Sequence, residues 1–177
     1  MKQPGSILVW LRSALGETWV LIFFGLVYLV SQLAVGAILS FVGLRDFLWL
    51  QCCGWSSARY FDLIQSWQAR GVMPFYQAHL AIDRLHWIWY TVLLMAAIAR
   101  ALNASNSGER SNWLLLLPVG AGLADWLENQ FQAVFLNSPG FATVVDPLPL
   151  VSTCASNLKW LLVAVSIAVV TLGGWRA

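Results

Sequence analysis

Residues 19–42 read WVLIFFGLVYLVSQLAVGAILSFV, an apolar run without a single Asp, Glu, Lys or Arg. A helix rises about 1.5 Å per residue and a bilayer's hydrocarbon core is about 30 Å thick, so about 20 apolar residues suffice to cross it. This run exceeds that length. It is also too long for the apolar core of a signal peptide, and no small-residue cleavage site follows it, so it is expected to remain in the protein. Three more stretches qualify as spans: residues 80–102, 113–135 and 151–172. Hydrocarbon leaves no backbone polar group unpaired, so each must be a helix.

The rest of the chain agrees with that reading. Of 177 residues, 59% are hydrophobic and 10% charged, against about 45–50% and about 25% in a soluble domain. These values exclude an ordinary soluble domain, a disordered tail and a nucleic-acid binder, and the net charge of +2 gives no steering toward polyanions. Three cysteines are too few for a disulfide scaffold. Eleven tryptophans fit a chain that meets two membrane–water interfaces. The expected fold is all-α: an integral membrane four-helix bundle forming a single domain over residues 1–177. Short in-plane helices are expected at residues 6–17, where Ile7, Leu8, Trp10, Leu11 and Leu15 interleave with Arg12 and Glu17, and at residues 57–70. The loop at residues 103–112 is polar. The one at residues 137–150 is apolar but broken by Pro139, Gly140, Pro147 and Pro149.

Basic residues set the orientation. Four spans put Lys2, Arg12, Arg100, Arg110 and Arg176 on one side and Arg45, Arg59 and Arg70 on the other. The expectation is therefore both termini in the cytoplasm. Trp10, Trp19, Trp113 and Trp175 would then anchor the inner interface, and Trp49, Trp55, Trp67, Trp87 and Trp160 the outer one. All three cysteines fall at the outer end, where an oxidising compartment would permit Cys154 to bridge either Cys52 or Cys53. The alternative is three free thiols acting as small apolar groups.

Ionisable residues inside a span are costly, about 2.5–3.5 kcal/mol each at mid-helix on insertion scales, yet this chain keeps several. His79, Asp83, His86 and Tyr90 stand at i, i+4, i+7 and i+11, on one stripe of the second span. Asp125, Glu128, Asn129 and Gln132 form a second stripe on the third span. Ser152, Ser156, Lys159 and Ser166 share a face of the fourth, with Asn157 off it. Gly25, Tyr28, Gln32 and Gly36 share a face of the first, where glycine admits close helix approach. In depth, Asp83 and His86 fall in the outer third and Asp125 near the middle. Glu128 and Asn129 lie about 5–6 Å further out, and Lys159 about 12 Å below the start of its helix. Three helices thus direct their polar faces to the same outer half, implying one acidic, aromatic-lined pocket open to the extracytoplasmic side. Asp83, Asp125 and Glu128 face a single deep base, Lys159. One acid must therefore be protonated, shared or bound to a cation.

The pairing of Asp83 with Tyr90, Pro118 with Asp125-Trp-Leu-Glu128-Asn129, and Ala155-Ser-Asn-Leu-Lys159-Trp160 resembles a family of small four-span bacterial membrane proteins of unassigned function. The likeness covers roughly the last 100 residues. Arg84-Leu-His86-Trp87 departs from the family's more apolar stretch. The resemblance implies a multi-pass protein of the bacterial inner membrane and a site at these positions, without an activity.

Three functional classes follow. The network can be a register-fixing device in an accessory subunit of a membrane complex. It can bind a small ligand, a cation or a membrane lipid, with cation–π contacts from Tyr28, Trp87, Tyr90 and Trp126. It can also be a membrane-embedded enzyme using paired carboxylates and His on a lipid-like substrate, metal-assisted through His79, Asp83, His86, Asp125 and Glu128. Lys159 beside the acids argues against a dense metal site, so no metal is favoured. The cofactor and any catalytic residue stay unknown at this stage. Partners are membrane lipid and a membrane-protein partner or a second copy of the chain, with no nucleic acid. Binding or assembly is favoured over catalysis.

Overall fold

The structure, a computed structural model, describes residues 7–174. Those residues contain no strand. Seven α-helices follow one another: α1 (Ile7–Leu15), α2 (Thr18–Val42), α3 (Leu44–Cys53), α4 (Ser57–Ala69), α5 (Met73–Ala104), α6 (Leu116–Asn137) and α7 (Leu148–Gly174). Short 3-10 segments at Glu109–Leu115 and Pro139–Phe141 precede α6 and α7. Local sequence explains the punctuation. Gly43 at φ 103° ends α2 in a conformation that side chains rarely adopt, and Gly71 at φ 69° does the same after α4. Pro74, Pro118 and Pro149 all lie in the first turn of a helix, where the missing N–H has no intrahelical partner to lose.

Three helices are long and apolar enough to cross a membrane: Thr18–Val42, Met73–Ala104 and Leu148–Gly173. The coarse expectation of an all-helical chain with membrane-crossing helices therefore stands. The boundaries shift, however. The second span begins at Met73, not residue 80, because no breaker separates the helix start at Pro74 from the apolar run. The third candidate span opens as a 3-10 segment, and the helix proper starts at Leu116. Its stripe of Asp125, Glu128, Asn129 and Gln132 dilutes its apolar character, and it is not among the three. Helix α3 was not anticipated. Helices form at both expected in-plane positions, as α1 and α4. Lys2, Ser6, Trp175 and Arg176, which entered the orientation and helix arguments, lie outside the described residues.

The chain divides into two compact units. The described residues of the first are 7–29, 88–122 and 160–174. Within it Met95, Ile98, Ala99 and Leu102 of α5 pack with Leu115, joined by Leu11 and Leu15 of α1 and Val169 and Val170 of α7. Arg12 ties this unit together. Its guanidinium donates to Asn103 Oδ1 (2.7 Å), Ser107 O (2.8 Å), Asn112 Oδ1 (3.1 Å) and Leu102 O (2.6 Å). A cation at the C-terminal end of α5 meets carbonyls that the helix itself leaves unpaired.

The second unit comprises residues 30–87 and 123–159 and holds the larger core. Val35, Leu39 and Val42 of α2 meet Phe47 and Leu50 of α3, Tyr60, Ile64 and Trp67 of α4, Tyr76 and Leu80 of α5, and Phe135 of α6. Trp67 lies over Tyr76 with ring centroids 4.5 Å apart, and Tyr60 meets Phe135 edge-on at 5.2 Å. Trp67 is fully buried, which corrects its expected role as an interfacial anchor. Packing of α3 against α4 turned it inward. The face of α2 used here also differs from the expected one. Gln32 and Gly36 are exposed, and a Cβ at Gly36 would meet nothing within 4 Å, so no close approach occurs there.

Candidate functional site

The second unit brings together polar groups from α5, α6 and α7. Helical spacing puts Asp125, Glu128, Asn129 and Gln132 on one face of α6, and the structure buries all four. Lys159 of α7 reaches that face. Its ammonium donates to Asp125 Oδ1 at 3.0 Å and to Glu128 Oε2 at 2.6 Å. The other Glu128 oxygen accepts from Gln132 Nε2 at 2.7 Å. Gln132 Oε1 in turn accepts from the hydroxyl of Tyr76 at 2.5 Å. The result is one hydrogen-bonded chain, Tyr76–Gln132–Glu128–Lys159–Asp125, across three helices. Trp67, whose ring lies tilted against Tyr76, donates to Asp46 Oδ2 at 3.3 Å, and Arg70 pairs with the same oxygen at 2.7 Å at the surface.

The α5 stripe is buried as well. His79, Asp83, His86 and Tyr90 are each less than 10% exposed. His86 Nδ1 bonds the hydroxyl of Ser31 on α2. His79 lies between Phe47, edge-on at 5.0 Å, and Tyr76, stacked at 5.8 Å. Asp83 makes no ion pair within 4.0 Å among the described residues, and it interacts electrostatically with His86 and Lys159. Tyr90 belongs to the first unit and donates to Ala121 O at 3.2 Å.

Some polar atoms here have no protein partner. His79 Nδ1 and Asn129 Nδ2 are buried without a hydrogen bond among the described residues, as are Trp87 Nε1 and Thr153 Oγ1. Ser156 Oγ faces Glu128 without meeting full hydrogen-bond geometry. Buried polar groups are usually satisfied, so such a concentration is informative.

Glu128 also acts on groups of α3 and α4. Burial pushes the Tyr60 phenol well above its usual range, and the Glu128 carboxylate pushes the same way. Burial likewise raises the Cys52 thiol, with Cys53 and then Glu128 adding to it. Cys52, Cys53 and Cys154 are all free thiols. The bridge expected between Cys154 and Cys52 or Cys53 is therefore not formed, although Asn157 Nδ2 does reach Cys52 O at 3.4 Å.

Several expectations about the site change. The two clefts that stand out lie elsewhere. One of about 340 Å³ is lined by Trp49, Arg59, Asp62 and Leu63, and one of about 370 Å³ by residues between 9 and 17 together with Asn103, Glu109 and Asn112. The polar groups pack on one another in place of lining an open mouth. Trp126 is 45% exposed and points away from them. Among the described residues no three His, Cys, Asp or Glu side chains converge as metal ligands, so His79, Asp83, His86, Asp125 and Glu128 do not form one ligand set. Sequence reasoning missed Tyr76 and Ser31. Tyr76 stands three residues before His79 and extends the same stripe, which the sequence reading began at His79. Ser31 carried no such signal, being a single small hydroxyl beside Gln32 in a helix without charged residues. No family model, no curated protein and no solved structure matches this chain.

Proposed function

We propose that the protein crosses the bacterial inner membrane four times, through α2, α5, α6 and α7, with both termini in the cytoplasm. Its buried polar network is a binding centre for a small cationic ligand. The resemblance to small four-span bacterial proteins belongs to this reading. One observation carries it: Asp83, Asp125 and Glu128 are buried together with a single lysine, Lys159. Lys159 neutralises one charge and is shared between two of the acids. Uncompensated charge in a low-dielectric interior is prohibitive, so positive charge must come from outside the lysine. Close packing around Lys159 favours a small occupant over a lipid. Paired carboxylates in an enzyme would need to meet substrate, whereas Asp125 and Glu128 are both engaged by Lys159.

A second reading, an accessory subunit of a membrane complex, draws on α2. Only 6% of its most apolar stretch is buried within the protein. Lipid or a partner helix covers the remainder. Native mass spectrometry of the protein, gently extracted from its own membrane, separates the two. The binding reading expects this chain alone or in copies of itself. A second protein at fixed stoichiometry would overturn it in favour of the subunit.

A further inference from the structure

Helix α2 runs 25 residues, from Thr18 to Val42, without a charged side chain, and only 6% of its most apolar stretch is buried within the protein. Its one amide side chain, Gln32, lies two residues from the middle of the helix, about 3 Å along the axis at about 1.5 Å per residue. In a helix that crosses a hydrocarbon core about 30 Å thick, that is close to the bilayer centre. Gln32 is exposed there and makes no hydrogen bond among the described residues. Lipid tails offer an amide neither donor nor acceptor, so a polar side chain at that depth belongs against protein. The inward side of α2 is already taken. Ser31 bonds His86, and Val35, Leu39 and Val42 join the core.

Resting on the reading that α2 crosses the membrane, we propose that this face of α2 binds the same face of a second copy of the chain, in a two-fold dimer where Gln32 hydrogen-bonds Gln32. A two-fold axis along the bilayer normal puts each residue of α2 at the same depth in both copies, so the amide meets its own kind. An amide carries both donors and an acceptor and satisfies itself across such an axis. A copy of the chain is therefore the partner that brings a matching group to the required level. The helix surface agrees. Gly36 follows Gln32 by four residues and Ser40 by eight, on one stripe, and both are exposed. A Cβ built at Gly36 meets nothing within 4 Å, and Ser40 turns its hydroxyl back to Ala37 O at 2.7 Å. A row at i, i+4 and i+8 is the ridge along which close, right-handed helix crossings pack, and small residues on it let the backbones approach. The amide needs a partner and the glycine gives that partner access.

The test is sedimentation equilibrium of the full chain in density-matched detergent micelles, with detergent raised stepwise to dilute the chains within the micelle phase. The unaltered chain is expected at twice the monomer mass at low detergent, dissociating reversibly on dilution. Gln32→Leu should weaken the dimer by roughly 3- to 30-fold, the range of interhelical side-chain hydrogen bonds in membranes. Gln32→Asn keeps an amide and should retain more of the association. Gly36→Ile, unlike the small Ala, should weaken it by holding the backbones apart. Val30→Leu, about 160° round the helix from Gln32, should leave it unchanged. Helical circular dichroism checks each variant, and if Gly36→Ile loses helix the two Gln32 variants decide. A chain that stays monomeric at every detergent level overturns the proposal. So does a dimer indifferent to both Gln32 and Gly36, or a different protein that copurifies at fixed stoichiometry and is lost in Gln32→Leu. Release of the chain from its membrane by alkaline carbonate, without detergent, would remove the membrane reading itself. Loss of the dimer in a chain that stays in the membrane removes the proposal alone.

Discussion

Replacing Lys159 by Met removes one ammonium and strands two carboxylates. Asp125 and Glu128 are 2% and 1% exposed, and each loses a charge-assisted hydrogen bond, of 3.0 Å and 2.6 Å. Removing one partner of a buried ion pair costs about 3–5 kcal/mol, because the other charge is left uncompensated. At about 1.4 kcal/mol per factor of ten, that lowers the ratio of folded to unfolded protein by roughly two to four orders of magnitude. The assay is unfolding in mixed micelles with rising sodium dodecyl sulfate, followed by tryptophan fluorescence, since Trp67 is fully buried beside Tyr76. Arg59→Met on the exposed side of α4 is the control, with an expected change within about 0.5 kcal/mol. Neutralising the acids as well, in a Lys159→Met, Asp125→Asn, Glu128→Gln variant, should recover most of the loss, because neutral replacements carry no stranded charge. A cost below about 1 kcal/mol for Lys159→Met would place the pair among weak surface bridges. Failure of the neutral variant to recover would show that shape, not charge, is what Lys159 contributes.

Three further outcomes are expected. Asp125→Asn and Glu128→Gln share Lys159, so their stability effects in the same micelle titration should depart from additivity by about 0.5–3 kcal/mol; simple addition would mean the two acids act apart. Gly54→Ala would place a Cβ 2.7 Å from Leu50 O and 3.0 Å from Thr153 Oγ1. It should cost about 1–3 kcal/mol, as overpacking does, whereas Gly36→Ala, with nothing within 4 Å, should be neutral or stabilising; equal thermal shifts would contradict the packing of α3 on α7. Cys52, Cys53 and Cys154 should all alkylate in unfolded protein without reductant, and a mass short of three adducts would show a bridge.

What could be read from the sequence depended on periodicity. The run from Trp19 to Val42 announced itself by composition alone, and so did the stripes on α5 and α6, because a polar residue inside an apolar helix is conspicuous. Lys159 was found for the same reason. Where conspicuousness failed, so did the reading. Trp67 and Trp55 look alike in sequence, both aromatic residues in an outer segment, yet one is fully buried and the other 48% exposed. The difference is set by α3, which covers Trp67 through Asp46, and α3 itself has no strong periodic signal to predict it. On α2 no face carries a charge, so the buried one could not be chosen by hydrophobicity. The glycine-bearing face was expected from close-packing arguments. The face used runs through Ser31, Val35, Leu39 and Val42, selected by the shapes of partners distant in sequence.

The same contrast bears on why the polar groups persist. A charge network kept only to fix register would be satisfied internally, since each unpaired buried group costs stability and adds no specificity. In this unit the hydrogen-bonded chain from Tyr76 to Asp125 meets that description, and on its own it would support a purely structural role. Asp83, His79 and Asn129 do not meet it. All three are buried; His79 and Asn129 contribute two polar nitrogen atoms without partners, and Asp83 adds an acid whose electrostatic partners are His86 and the already shared Lys159. Leu, Phe or Met at those positions would be buried at lower cost. Groups that weaken the fold are retained where they do something else. The contrast between a satisfied chain of five residues and the unpartnered atoms of His79 and Asn129 near it favours binding over scaffolding. A variant that replaces all three residues with apolar ones, Asp83→Leu with His79→Phe and Asn129→Leu, should melt at or above the temperature of the unaltered protein. A lower melting temperature with the helices intact would mean that the three residues are structural after all.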